Sequence, residues 1–285
     1  MKTRIISGVV LIILMAALLF LGGNVLLAAM LLLSIGGLFE LGAALTKAVP
    51  QPDGIKTVMY RPYTYTSMIC AAVWYVLLFF VRDGVWNGHW SLYYFTALVM
   101  GMMVLGIVYY PTRRFADAAI SGFSVLYIPV LFSFVYILRE STNGQFYVWY
   151  IVAAAWGSDT LAYFTGMIFG RHKLCPRLSP KKTIEGAVGG VLGSAVLCTI
   201  YGLIIAATVE VESGIMLKLS LLIGVLGSLA SIGGDLFASS IKRTMRIKDY
   251  SNLIPGHGGI LDRFDSMLFV APVVVIILDL FKVIA

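Results

Sequence analysis

The chain has 285 residues, of which 60% are hydrophobic and only 12% charged, with a mean hydropathy of +0.93. A soluble globular domain carries about a quarter charged residues, so this composition excludes one and predicts an all-α, polytopic integral membrane protein. The formal net charge of +7 must then sit on loops and helix ends, because a charged side chain at the bilayer centre costs roughly 2.5–3.5 kcal/mol on insertion scales.

Crossing a hydrocarbon core of roughly 30 Å takes about 20 helical residues, and the backbone must satisfy its own polar groups on the way. About nine stretches meet that length. The first two are 5–21 and 24–46, separated by Gly22 and Gly23, and 64–81, 91–110 and 117–138 follow. The remainder are 147–169, 186–208, 219–241 and 258–281, whose ends are blurred by Gly and Asp. Met1 to Phe20 has the charge-then-apolar order of a signal peptide, but an equally apolar segment follows at once, so it is read as a retained first helix. Read as a compact chain without targeting extensions, the protein is expected in a bacterial plasma membrane.

An odd number of spans with the N-terminus in the cytoplasm places the C-terminus outside, and the distribution of Lys and Arg tests this. Lys2, Arg4, Lys47, Lys56, Arg61, Arg113 and Arg114 fall on the cytoplasmic side, as does every Lys and Arg of the loops after 169 and 241. Only Arg82, Arg139, Lys218 and Lys282 are left outside. The positive face attracts anionic headgroups and phosphorylated metabolites, at about 1 kcal/mol per basic residue near the surface.

Residues 1–145 read as an N-terminal transmembrane scaffold and 146–285 as a C-terminal transmembrane catalytic region. In the scaffold Glu40 is the intramembrane acid, expected to snorkel or to make a bundle hydrogen bond. Tyr93, Tyr94, Tyr109 and Tyr110 fall at the two ends of one span, as interfacial aromatics do. Cys70, Cys175 and Cys198 have neither metal-ligand nor disulfide-framework spacing and are expected to pack. No phosphate-binding GxxxxGK[ST], GxSxG or HExxH pattern occurs.

Chemistry gathers in the later half. Ser158 and Asp159 interrupt an apolar helix, with Tyr163 one turn on. The basic loop RHKLCPRLSPKKTIEG follows, in which Pro176 and Pro180 prevent a continuous helix and Ser179 or Thr183 can cap the next one. A helix N-terminus there would favour a phosphate. Gly186, Gly189, Gly190 and Gly193 leave a groove for a close neighbour. Ser231, Asp235 and Ser239 then form a polar stripe at one-turn spacing.

The stripe leads into SSIKRTMRIKDYSNLIPGHGGILDRFD, residues 239–265. Asp262 and Asp265 share one helix face, with Arg263 turned aside to meet lipid phosphate or another acid. Asp235 ends one span and Asp262 begins the next, so the two can meet at one depth. Clustered carboxylates indicate magnesium or a similar hard ion, which prefers a few carboxylates plus substrate phosphates. Lys242, Arg243, Arg246 and Lys248 would neutralise further phosphate charge, and the glycines around His257 could expose amides to a phosphate. Phosphoryl or nucleotidyl transfer follows from these residues.

In this order the residues resemble the phosphatidate cytidylyltransferase family. The pattern is met by Ser239, Lys242, Arg243, Lys248, Asp249, Pro255, His257, Gly258, Gly259, Asp262, Arg263 and Asp265. An upstream block is met by Ser158, Asp159, Ala162, Tyr163, Gly166, Ser179, Pro180, Lys181, Lys182, Thr183, Glu185 and Gly186. The resemblance implies transfer of a cytidylyl group from CTP to phosphatidic acid with a divalent metal, at a site facing the cytoplasm.

Magnesium would sit on Asp235 and Asp262, with Asp265, Asp249 and Asp159 completing or orienting the ligand set. Lys181, Lys182, Lys242 and Arg243 would steady phosphates, with Lys248, His257, Arg263 and Ser239 also on the substrates. A second, monovalent ion is left open. The expected partners are CTP, phosphatidic acid and the bilayer, without nucleic acid, and a homodimer is allowed. An ion-coupled transporter is the rival from another class, because intramembrane acids also mark transport pathways. A CTP-dependent lipid-alcohol kinase is the nearer rival.

Overall fold

The computed structural model describes residues 2–47, 60, 62–82 and 89–284, apart from the side chains of residues 2–5 and 82. Lys56 and Arg61, counted above on the basic face, lie outside the described residues. The helices are α1 (Lys2–Leu21), α2 (Gly23–Leu45), α3 (Thr64–Arg82), α4 (Trp90–Val108), α5 (Phe115–Val125), α6 (Leu131–Glu140), α7 (Gly144–Tyr147), α8 (Trp149–Val152), α9 (Ser158–Phe169), α10 (Ile184–Ile205), α11 (Ser213–Thr244) and α12 (Leu261–Leu280). Single π-helical turns, Leu126–Val130 and Ala153–Gly157, join α5 to α6 and α8 to α9. The two strands are β1 (Lys173–Cys175) and β2 (Ser179–Thr183).

Six stretches among the described residues are long and apolar enough to cross a membrane: Gly23–Leu45, Thr64–Val81, Trp90–Val108, Phe115–Glu140, Ile184–Ile205 and Ser213–Thr244. Ile6–Leu21 is a shorter apolar helix. The protein is therefore helical and polytopic, as its composition demands. The helix α12, within the expected span 258–281, is not among these six, and it carries Asp262, Arg263 and Asp265 in its first two turns.

The chain forms two compact units. The first comprises Met1–Leu14, Gly23–Ser133 and Thr244–Asp262, and the second comprises Met15–Gly22, Phe134–Arg243 and Arg263–Ala285. The segment carrying the His-Gly-Gly turn thus belongs with the N-terminal helices.

In the first unit, α4 buries a single stripe, Tyr94, Leu98 and Met102, at one-turn spacing. Most of the rest of its surface is exposed apolar side chain such as Ile107 and Val108, which suits lipid. The Tyr94 hydroxyl donates to the Cys70 carbonyl at 2.9 Å, and the Trp74 ring lies 4.9 Å from that of Tyr94. Pro129 lacks an amide proton and removes a rung from its helix. The chain there is wound as a π turn, and the buried Tyr75 hydroxyl donates to the Pro129 carbonyl at 3.2 Å.

In the second unit, α9 and α10 pack at backbone distance. A Cβ on Gly186 would stand 2.8 Å from the Ala162 carbonyl and 3.1 Å from the Gly166 Cα, which is the close approach expected of that glycine repeat. Buried hydroxyls tie further helices together, with Tyr150 to Ser220 and Ser158 to Ser228 both at 2.6 Å. Arg139 reaches the C-terminal end of α1, donating to the Leu19 carbonyl at 2.7 Å and the Phe20 carbonyl at 3.1 Å. A cation is favoured at that helix end. All three cysteines are free, and Cys198 is buried as a packing residue.

The basic segment expected as an ordered loop is an antiparallel hairpin, with Lys173 opposite Thr183 and Cys175 opposite Ser179. The hairpin has one partner per strand, so Pro180 can sit in β2 without breaking a ladder on both sides.

Candidate active site

The second unit brings together one acid from each of three helices. Asp159 follows the π turn at the start of α9, Asp235 lies in α11, and Asp265 lies one turn into α12. Asp159 and Asp265 each feel the charge of Asp235, and Asp265 also that of Asp159. Two cations answer this cluster: Lys182 of β2 forms an ion pair with Asp235, and the buried Lys242 acts on Asp265.

Hydroxyls complete the surroundings of the acids. Ser231 donates to Asp159 Oδ1 at 3.3 Å, and Ser266 also bonds that carboxylate. Ser239 lies one turn beyond Asp235 and reaches its Oδ1 at 3.5 Å, the spacing read from the sequence. Ser231 and Ser266 were not among the expected site residues. Ser231 stood on the polar stripe, whereas nothing marked Ser266 except its place beside Asp265.

A cavity of about 450 Å³ opens beside these groups, lined by Asp159, Lys181, Lys182, Thr183 and Asp235 together with Tyr163 and Met167. Carboxylates, ammonium groups and apolar side chains therefore share one space. Lys181 is exposed and Lys182 partly so. Arg243 is held back toward the hairpin, its Nε donating to the Leu178 carbonyl at 3.2 Å. The hairpin is itself anchored to α10: Thr183 caps the helix by accepting from Gly186 N at 3.1 Å, and Glu185 accepts from Arg171 N at 3.1 Å and meets His172 Nδ1 at 2.6 Å. A carboxylate thus already stands beside the helix start where a phosphate was expected.

Asp262 falls in the first unit and is described with the partners it has there. Its Oδ2 accepts from Tyr250 N at 2.8 Å and Gly259 N at 2.9 Å. Glu40 reaches the same segment from α2, accepting from Ile260 N at 2.9 Å, Leu261 N at 3.0 Å and Ser251 Oγ at 2.6 Å. His257 N donates to the Ile254 carbonyl at 2.9 Å, and its Nδ1 lies 2.7 Å from Ser7 Oγ.

These bonds engage the amides that the glycine turn was expected to offer a phosphate. The amides of His257, Gly259, Ile260 and Leu261 all donate inside the first unit. The Ile254 carbonyl accepts from His257, and the carboxylates of Asp262 and Glu40 accept from the other three. Lys248 and Asp249 are exposed on this segment, and Arg263 is partly buried at the start of α12.

Among the described residues, no three His, Cys, Asp or Glu side chains are grouped so as to hold a metal by themselves. Magnesium does not require three, since one or two carboxylates with substrate phosphates and water suffice. The all-oxygen donors around Asp235, where the Lys182 ammonium already stands as a cation, fit such an ion.

Residues 2–281 match the model of the cytidylyltransferase family. The chain belongs to that family. The phosphatidate cytidylyltransferase of Bacillus subtilis strain 168 is 33% identical over 286 residues, covering 99% of each protein. The proteins of the same name from Staphylococcus haemolyticus strain JCSC1435 and Staphylococcus aureus strain COL are 29% and 31% identical over 280 residues, covering 98% of this chain and 99% of each relative. The match thus extends over the N-terminal helices, which carried no motif in the sequence reading.

Proposed function

We propose that this member of the cytidylyltransferase family transfers CMP from CTP to phosphatidic acid, giving CDP-diacylglycerol and pyrophosphate. The observation that carries the reading is the cluster of Asp159, Asp235 and Asp265 facing Lys182 and Lys242 beside a cavity with both polar and apolar walls. Acids there suit a metal-bound triphosphate, lysines suit its phosphates, and apolar walls suit a lipid.

A phosphatidate oxygen, already anionic, attacks the α-phosphorus of CTP in line. The new oxygen–phosphorus bond forms as the bond from the α-phosphorus to the bridging oxygen breaks, and pyrophosphate leaves with that oxygen. No strong base is needed, so the protein contributes positioning and charge compensation. Lys182 is free to exchange Asp235 for a phosphate, and Lys181 and Lys242 supply further positive charge. Asp235 would hold magnesium, with Asp159 and Asp265 orienting its surroundings. Bound there, the ion supplies neutralisation of the triphosphate and of the departing pyrophosphate. Asp262, by its place in the sequence pattern, would be the second ligand.

The topology accompanying this reading has nine spans, a cytoplasmic N-terminus and an active site at the inner face of a bacterial plasma membrane. The diacyl tails then remain among lipids while the headgroup meets CTP, and no lipid need be extracted.

Labelled CTP supplied with phosphatidate to the detergent-solubilised protein tests the function. Label in a liponucleotide is the expected result. Label transferred from the γ-phosphate to a lipid alcohol would make the protein a kinase, and absence of any covalent product would favour a transporter.

A further inference from the structure

Glu40 lies in a helix that carries no other charged residue, yet its side chain is only 4% exposed and spends its acceptors on one distant segment. Oε1 takes Ser251 Oγ at 2.6 Å and Ile260 N at 2.9 Å, and Oε2 takes Leu261 N at 3.0 Å. Ile260 and Leu261 are where α12 begins, and Asp262 comes next. A helix N-terminus leaves its first amides without intrahelical acceptors, and a carboxylate is the strongest side-chain acceptor for them. It is favoured there by the helix dipole as well.

The close fit of Gly259 belongs to the same arrangement. A Cβ at that position would lie 2.5 Å from Glu40 Oε1, so glycine is what lets the backbone come against the carboxylate. Asp262 Oδ2 meanwhile takes Gly259 N and Tyr250 N. Consecutive amides at 259, 260 and 261 are therefore divided between two carboxylates, the first going to the local Asp262 and the next two to Glu40, from a helix about 220 residues earlier in the chain. The orientation of Asp262 depends on this bracing, because a residue in the first turn of a helix follows the helix start.

We infer that Glu40 is a positioning residue for the reaction: it fixes the start of α12 and thereby the direction in which Asp262 presents its carboxylate. It touches neither substrate in this role. The inference rests on the cytidylyl-transfer reading for its kinetic consequence, while its structural consequence can be read without any substrate.

The test is Glu40→Gln in the full-length protein. Glutamine keeps the size of the side chain, so a role confined to packing leaves activity unchanged. A positioning role requires faster hydrogen exchange of the amides at 259–261, with a fall in kcat of about tenfold or more while KM for CTP stays within about threefold. Unchanged exchange overturns the inference, and so does faster exchange with wild-type kcat.

If Glu40→Gln cannot be extracted as a monodisperse species, Ser251→Ala carries the test, because it removes one donor to Glu40 and leaves the carboxylate in place. Faster exchange at Ile260 with kcat lowered about threefold is expected, and wild-type behaviour in both overturns the inference. A wild-type protein that forms no liponucleotide would overturn the cytidylyl-transfer reading, and the inference, being about that reaction, would fall with it even if the exchange of 259–261 had quickened. A wild-type protein that forms it beside an indifferent Glu40→Gln overturns the inference alone.

Discussion

Lys182 of β2 closes an ion pair with Asp235 of α11, and both side chains line the same cavity. The ammonium stands where a metal or a phosphate would compete for it. Asp235 gains a counter-charge from Lys182, and Lys182 would become available if another cation took its place. Lys182→Met should therefore raise KM for CTP by about tenfold, the effect of one charge-assisted contact of roughly 1.5 kcal/mol. Steady-state kinetics at fixed magnesium and phosphatidate measures this, and an unchanged KM would mean that the ion pair never opens during turnover.

The three acids of the cluster should not be equivalent. Loss of a group that only orients a metal ligand costs roughly 10–100-fold. Asp159→Asn and Asp265→Asn are expected within that range, and Asp235→Asn beyond it. Turnover of each variant over a magnesium titration separates the cases, because recovery at high magnesium marks weakened metal binding rather than lost folding.

Asp262→Asn bears on a different claim. The asparagine carbonyl can still accept from Tyr250 N and Gly259 N, so the segment should keep its shape while losing its charge. Turnover is expected to fall by more than about a hundredfold if the carboxylate binds metal, with an unchanged thermal midpoint in detergent. Activity within a few-fold of wild type would remove Asp262 from the metal role.

Two substitutions in the wall of the cavity test how α10 is seated. Gly186→Val forces a side chain against the Ala162 carbonyl and Gly166 and should destabilise the protein by about 1–3 kcal/mol. Thr183→Ala removes the acceptor for Gly186 N and should cost about 1 kcal/mol. Thermal unfolding in detergent checks both, and the glycine variant should show the larger loss.

Much of the helical layout could be read from runs of apolar residues, because a helix in lipid satisfies its own backbone and only length and hydrophobicity are required of it. The same reading missed the hairpin at Lys173–Thr183. Its prolines and short strands carry no periodic signal, and two strands pair only once their turn has formed. The π turns were equally hidden, since an extra residue in a helical turn leaves its composition unaltered.

The order of Ser, Lys, Asp and His-Gly-Gly positions was enough to reveal the family, because covalent spacing along the chain is itself what the pattern records. Tertiary structure alone decided which of those groups meet. It joined Asp159, Asp235 and Asp265 electrostatically, put the Lys182 ammonium on Asp235, and turned the amides at 259–261 toward Asp262 and Glu40. The physical reason is range: helix formation is settled by neighbours within a few residues, whereas a charge buried in an apolar surround takes whichever donor or counter-ion the packed chain delivers, however distant in sequence.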